Sequence, residues 1–306
     1  MPLAAVFPGQ GAQKVGMLSE LAEHYPGIVD TYRLGSDALG FDLWEMVQTA
    51  SSEELTDTKN TQPALLAASV SLWRVWQGLG ARLPDYLVGH SLGEYSALVC
   101  GEVLDYEDAI RLVRKRGELM NAAVPPGEGS MAAIMGLEDD DVVRWCDQTD
   151  GEVAPANYNA PGQVVIAGES RAVDLAIEIL KEKGAKRAVK LDVSGPFHSR
   201  LMLKAKEEFA EFVHHVEFNS PQIPIIQNVN AEVVVDPDQI KINLIEQLVS
   251  PVLWVTSMHK LLGLGVIDLI ECGPGSVLRG LAKRVSRDFS LSGLDGLEDM
   301  RSAAGL

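Results

Sequence analysis

The hydrophobic pattern along the chain alternates between strand-like and helix-like periods. LAAVFPG at residues 3–9 predicts a short strand ended by a Pro-Gly turn, and the segment from Gly11 to Tyr25 after it predicts a helix. Residues 62–79, QPALLAASVSLWRVWQGL, are apolar on all sides, as in a helix buried within an α/β core. YLVGH predicts a buried strand followed by a helix from Leu92. Another helix spans Tyr106 to Ala123 and stops before Val124-Pro125-Pro126-Gly127.

That Pro-Pro-Gly stretch marks a boundary. Beyond it the pattern predicts a strand (SMAAIMGL), a helix (DDDVVRWCDQT), two strands (EVAPANY and QVVIAGE), a helix (AVDLAIEILKEKG) and a strand (KRAVKLDV). The order βαββαβ is that of a ferredoxin-like unit, expected over residues 125–194. After Gly195-Pro196 a mixed pattern returns: a helix near Leu201 to Val213, a strand IPIIQNV, a helix near Gln239 to Leu248, and a strand VIDLIEC closed by Gly-Pro-Gly. The expectation is therefore a small unit inserted into a discontinuous larger one, residues 1–124 and 195–306. The final twenty residues, rich in Ser, Gly and Leu, predict weak order.

Composition narrows the class. The 306 residues are 46% hydrophobic and 23% charged, which is ordinary for a globular protein. MPLAAVFPGQ has no basic region ahead of an apolar core, and no apolar run approaches the length of a membrane span, so a cytoplasmic protein without membrane contact is expected. Cys100, Cys146 and Cys272 have neither metal-ligand nor disulfide spacing and read as reduced core thiols; no metal is expected. The formal net charge of −17 argues against nonspecific nucleic-acid binding.

Chemistry concentrates first at Gly89-His90-Ser91-Leu92-Gly93. G-x-S-x-G between an apolar strand and a helix is the pattern of a nucleophile elbow, where small flanking residues allow a tight turn that lifts the serine hydroxyl. A plain strand-to-helix turn is the alternative. A serine nucleophile needs a base. Among the six histidines, His90 adjoins the serine and reads as a packing residue, His214 and His215 as solvated, and His24 and His259 as structural. His198 sits in a loop, SGPFHS, between a strand and a helix, where catalytic groups are commonly held. On the helix from Tyr106, Arg116 falls near the centre of the apolar stripe of Ala109, Leu112, Val113, Leu119 and Met120. A buried guanidinium requires an anion, either a structural Asp or Glu or a bound carboxylate. FPGQGAQ fails the dinucleotide fingerprint because Lys14 stands where a third glycine is needed, but such a turn can present backbone N–H groups to an oxyanion.

FPGQGAQ, TQPALLAASV, GHSLGEYSAL, RLVRKRGELM, MAAIMGL, NYNAPGQVVIAG, PFHS and ECGPGSVL occur in the order found in the malonyl-CoA:acyl carrier protein transacylases of bacterial fatty-acid synthesis, which the chain resembles along nearly its whole length. The resemblance implies an α/β fold with an α/β-hydrolase-like large subdomain and the ferredoxin-like insertion. It implies Ser91 as nucleophile toward malonyl-CoA, His198 as base, and the N–H groups of Gln10 and Leu92 as oxyanion hole. It further implies that the main-chain carbonyl of Gln247 orients the imidazole and that Arg116 binds the malonyl carboxylate. Gln62 and Asn159 match polar lining residues, and Phe197 matches the bulky residue of malonyl-selective relatives. The partner is then acyl carrier protein, which brings its own phosphopantetheine, so no resident cofactor is expected. Lys186, Arg187, Lys190, Arg279, Lys283 and Arg284 could meet that acidic partner or be scattered solvated charges. Two other readings share parts of this pattern: a serine thioesterase or hydrolase, and a noncatalytic carrier-docking module.

Overall fold

Ten strands organise the computed structural model, which describes residues 2–306. They are β1 (Leu3–Phe7), β2 (Tyr86–Gly89), β3 (Gly129–Met135), β4 (Val153–Ala160), β5 (Gln163–Glu169), β6 (Arg187–Lys190), β7 (Ile225–Ile226), β8 (Val233–Val234), β9 (Asp268–Glu271) and β10 (Ser290–Gly293). One sheet has the order β10-β9-β1-β2-β7-β8 and is parallel except at its β7–β8 edge. Its central strands are buried on both faces, as parallel strands between helical layers must be. Ala5 and Phe7 point into one core with Leu87 and Ile225, and Ala4 and Val6 into another with Val88 and Ile226. The alternation of side chains along a strand thus supplies two cores from one apolar run.

The second sheet has the order β4-β5-β3-β6, antiparallel throughout. Helices Asp139–Asp147 and Ser170–Glu182 cover one face, where Ile134, Val142, Val164, Ile166, Val173 and Leu180 form a separate core. Met131 and Val165 face the other way and join the core of the larger sheet. Tyr158 N–H donates to the Val252 carbonyl at 3.0 Å, and Val252 N–H to that of Ala156 at 2.9 Å, so β4 is also tied by backbone to the segment that enters the helix Trp254–Gly263. The fold is α/β.

Three expectations fail for local reasons. The helix between Gly11 and Tyr25 is confined to Ser19–His24, because Gly11, Gly16 and Leu18 adopt left-handed backbone that a helix cannot contain. IPIIQNV yields only the two residues of β7: beyond Ile226, the N–H of Asn228 donates to the Glu94 carboxylate and not to a ladder partner. The last residues are ordered, since β10 pairs in parallel with β9, the helix Leu297–Ala303 follows, and Leu294 and Met300 are fully buried. Trp76 Nε1–H donates to the Ala303 carbonyl at 3.1 Å, tying this helix to the long buried helix Thr58–Gly78. No helix of the described residues is long and apolar enough to cross a membrane.

Candidate active site

The turn after β2 is steeply folded. Ser91 has φ 51°, in the left-handed region, and the helix Gly93–Cys100 begins immediately after it. A side-chain carbon at Gly93 would lie 1.9 Å from the Phe7 carbonyl oxygen, and one at Gly89 would lie 1.9 Å from the Gly93 carbonyl carbon. Only hydrogen at both positions lets β1, β2 and this helix meet so closely. Asn228, just past β7, clasps the turn: its Oδ1 accepts from Ser91 N–H at 2.7 Å, and its Nδ2 donates to the Gly89 carbonyl at 2.6 Å.

The loop Ser194–Ser199 brings His198 over the turn, with φ 59° at the histidine itself. Ser91 Oγ lies 2.7 Å from His198 Nε2, and His198 Nδ1 lies 2.8 Å from the main-chain carbonyl of Gln247, just beyond the helix Pro237–Glu246. A carbonyl can only accept, so Nδ1 carries the proton and Nε2 is free to accept from the serine hydroxyl. Burial, and next the Arg116 guanidinium, push this imidazole down to about 3, which keeps it neutral.

Arg116 approaches from the helix Tyr106–Ala122, whose start is capped by the Asp105 carboxylate. This helix packs on Thr58–Gly78, with Gly117 against the backbone of Lys59, and so carries Arg116 to Gln62. Arg116 is 1% exposed. It donates to Gln62 Oε1 at 2.9 Å and Gln247 Oε1 at 2.8 Å, and one Nη lies 3.3 Å from Ser91 Oγ. Its Nε has no partner, and its face lies over the Tyr95 ring, 5.3 Å from the centroid. All these acceptors are neutral. The structural carboxylate partner that the sequence left open is not bonded to it.

A cavity of about 190 Å³ opens over these groups. Gln10, Gln62, Ser91, Leu92, Arg116, Asn159, Phe197 and His198 all line it, together with Met120, Met131, Val277 and Leu281. Among the described residues, no protein acceptor takes the N–H of Gln10 or of Leu92. Gln247 lies behind the cavity wall, reaching it through Arg116 and His198. His90 is turned away from the serine and holds Asn159 Oδ1 at 2.8 Å from Nε2, a contact between the turn after β2 and strand β4 of the other sheet. His24, His214, His215 and His259 are exposed elsewhere.

A family model described as an acyl transferase domain matches residues 5–292. The chain belongs to the acyl transferase domain family. Among its relatives, the malonyl CoA-acyl carrier protein transacylase of Haemophilus influenzae is 50% identical over 289 residues, covering 94% of this chain and 93% of that protein. The Escherichia coli K12 transacylase is 47% identical over 305 residues, 99% of each chain. The Coxiella burnetii transacylase structure superposes with a TM-score of 0.98 at 42% identity, covering 100% of this chain and 97% of that one. A malonyl-transacylase solved in complex with a type II polyketide acyl-carrier protein superposes with a TM-score of 0.98 at 46% identity, covering 100% and 99%.

Within this acyl transferase site, sequence reasoning missed Asn228, Glu94 and the side chain of Gln247. Each is a polar residue buried in the structure, and nothing local in the sequence singles it out from its polar neighbours. Of the basic residues considered for a partner, Arg279 is tied to Glu271 and Asp295 and Lys190 to Asp174, whereas Lys186, Arg187, Lys283 and Arg284 are exposed.

Proposed function

We propose that the chain transfers the malonyl group of malonyl-CoA to the phosphopantetheine thiol of acyl carrier protein through an ester on Ser91, in cytoplasmic fatty-acid biosynthesis. One observation carries this reading: a buried guanidinium with only neutral partners stands 3.3 Å from the oxygen of a serine that is itself hydrogen-bonded to a neutral histidine. A cation so placed favours an acyl group that bears a carboxylate.

In the first half-reaction Ser91 Oγ attacks the thioester carbon while its proton passes to His198 Nε2, and the Gln10 and Leu92 N–H groups receive the charge on the carbonyl oxygen. The C–S bond then breaks, and His198 returns the proton to the CoA thiolate. In the second half the carrier thiol gives its proton to Nε2, its sulfur attacks the ester, and Ser91 Oγ leaves and is reprotonated. The Gln247 carbonyl holds the ring in the tautomer both halves need and stabilises the transient imidazolium, the role an acid plays in a Ser-His-Asp triad. Arg116 contributes twice. It binds the malonyl carboxylate, and because its charge holds His198 down, that carboxylate makes the base stronger on arrival. An acetyl group supplies neither effect. Gln62 steadies the guanidinium, and Asn159 and Phe197 shape the acyl chamber. None of these steps calls on a metal or a resident cofactor.

The same reading takes residues 1–124 and 195–306 as an α/β-hydrolase-like catalytic subdomain and 125–194 as a ferredoxin-like one. The parallel sheet with an elbow after β2, and the β4-β5-β3-β6 order, support it. Incubation with malonyl-CoA followed by intact-mass measurement should reveal a malonyl adduct, absent in Ser91→Ala, that disappears onto added holo carrier protein. Release as free malonate without transfer would identify a hydrolase, and no adduct at all would sink the covalent route.

A further inference from the structure

Behind the cavity wall lies a fully buried carboxylate that touches neither the cavity nor a cation. Glu94 Oε1 accepts from Gln227 Nε2 at 3.0 Å, and Oε2 accepts from Asn228 N–H at 3.0 Å and Gln247 Nε2 at 2.9 Å. Gln247 Nε2 also reaches the Ser91 carbonyl at 3.1 Å, and the oxygen of the same amide accepts from Arg116. Burying an ionised carboxylate is costly, and glutamine would fill the same volume without a charge.

We propose that Glu94 is a positioning residue: its carboxylate dictates which way the Gln247 amide faces, and the amide in turn fixes the Arg116 guanidinium. The inference rests on the transfer reading above. Its logic is one of hydrogen-bond polarity. A carboxylate only accepts and a guanidinium only donates, so the amide between them has a single satisfactory orientation, NH2 toward Glu94 and oxygen toward Arg116. With glutamine at position 94 both ends of the chain become ambiguous. An NH2 at 94 would oppose the donors of Gln227, Asn228 or Gln247, and a reversed Gln247 would present its own NH2 to the guanidinium. Glu94 also supplies a counter-charge across Gln247 while no substrate is bound, which fits a guanidinium whose direct partners are all neutral.

The charged group facing Glu94 is Arg116, on Tyr106–Ala122; Tyr95, beside it in sequence, also feels the Glu94 charge, and the contacts from the Asn228 loop and from Gln247 are neutral. Burial pushes the Glu94 carboxyl up to about 7, against hydrogen bonds from Asn228, Gln247 and Gln227 and the charge of Arg116. Protonation adds a donor where the chain needs an acceptor, so acid should act as the glutamine substitution does.

The test is the ratio of kcat/KM for malonyl-CoA to that for acetyl-CoA, across pH 5.5 to 8.5, in wild type, Glu94→Gln, Gln247→Met and the double variant. Gln247→Met keeps the carbonyl that holds His198. The ratio is expected to fall about tenfold or more in each single variant, the scale of one hydrogen bond to a charged group, with no further fall in the double. The loss should appear chiefly in KM for malonyl-CoA. In wild type the ratio should drop as pH falls through about 7, and in Gln247→Met it should be flat. If Glu94→Gln does not fold, that comparison of wild type with Gln247→Met decides the matter. Malonyl and acetyl rates falling in parallel, or a wild-type ratio independent of pH, would overturn the inference. A wild type with no malonyl preference would instead overturn the transfer reading, and this inference with it.

Discussion

At the scale of single residues, the site turns on how burial and neighbouring charge set the protonation of His198 and Arg116. His198 is neutral because it is buried and because Arg116 stands close by, and Arg116 remains cationic although burial lowers its own proton affinity. Replacing Arg116 by alanine removes the second-largest of the influences that hold the imidazole down, so its native value should rise from about 3 toward the ordinary histidine value of 6.5. The acid limb of acetyl transfer, set by loss of the neutral base, should then move to higher pH in Arg116→Ala, as a pH profile of acetyl-CoA kcat/KM would reveal. Malonyl transfer by the same variant should fall by about a hundredfold or more, since two charge-assisted hydrogen bonds disappear. A malonyl preference left unchanged would contradict the assigned role. Arg116 itself was legible from helical spacing, because one charged residue in an apolar stripe is visible without any partner. Its partners were not. Gln62 lies 54 positions away and Gln247 131 positions away, and spacing carries no information at that range.

Among elements, the elbow is the most constrained. The pattern around Ser91 predicted a strand, a tight turn and a helix, and those elements are present with the serine at positive φ. What enforces the turn comes from outside it: β1 presses on Gly93, and Asn228 bonds both sides of the serine. Gly93→Ala must push a methyl group into the Phe7 carbonyl, a backbone atom that cannot rotate away. It should lower the urea midpoint by the equivalent of about 2 kcal/mol or more, or leave the protein insoluble. A variant as stable as wild type would show that β1 and the elbow helix can separate. Elements were misjudged where local pattern and long-range bonding compete. The apolar run IPIIQNV has strand character throughout, but the buried carboxylate of Glu94 draws the Asn228 backbone out of the ladder.

For the whole molecule, the two sheets share part of one core beside the cavity, and the C-terminal strand β10 completes the larger sheet. The Ser-, Gly- and Leu-rich terminus was expected to be weakly ordered on composition, yet it provides the edge strand β10 and a helix against Trp76. Truncation after Gly293 would uncover Trp76 and discard the fully buried Leu294 and Met300. Burying such side chains contributes about 1.5–3 kcal/mol each, so the truncated chain should melt several degrees lower by calorimetry. Its Ser91–His198 pair, far from this edge in the chain, should keep its reactivity at temperatures where the protein is folded. An unchanged melting temperature would mean the terminal helix adds nothing to the core.

The sequence by itself determined the α/β alternation, the βαββαβ order after the Pro-Pro-Gly stretch, the serine on its turn, the looped histidine and the arginine facing inward. Each follows from local periodicity, turn chemistry or the cost of burying charge, which act over a few residues. Tertiary structure alone decided that these groups share a cavity, that the imidazole leans on a backbone carbonyl, and that a buried glutamate stands behind a glutamine. Those relations join residues from 25 to 153 positions apart. Hydrogen-bond polarity at such distances is set by how the sheets pack, and no stretch of sequence contains it.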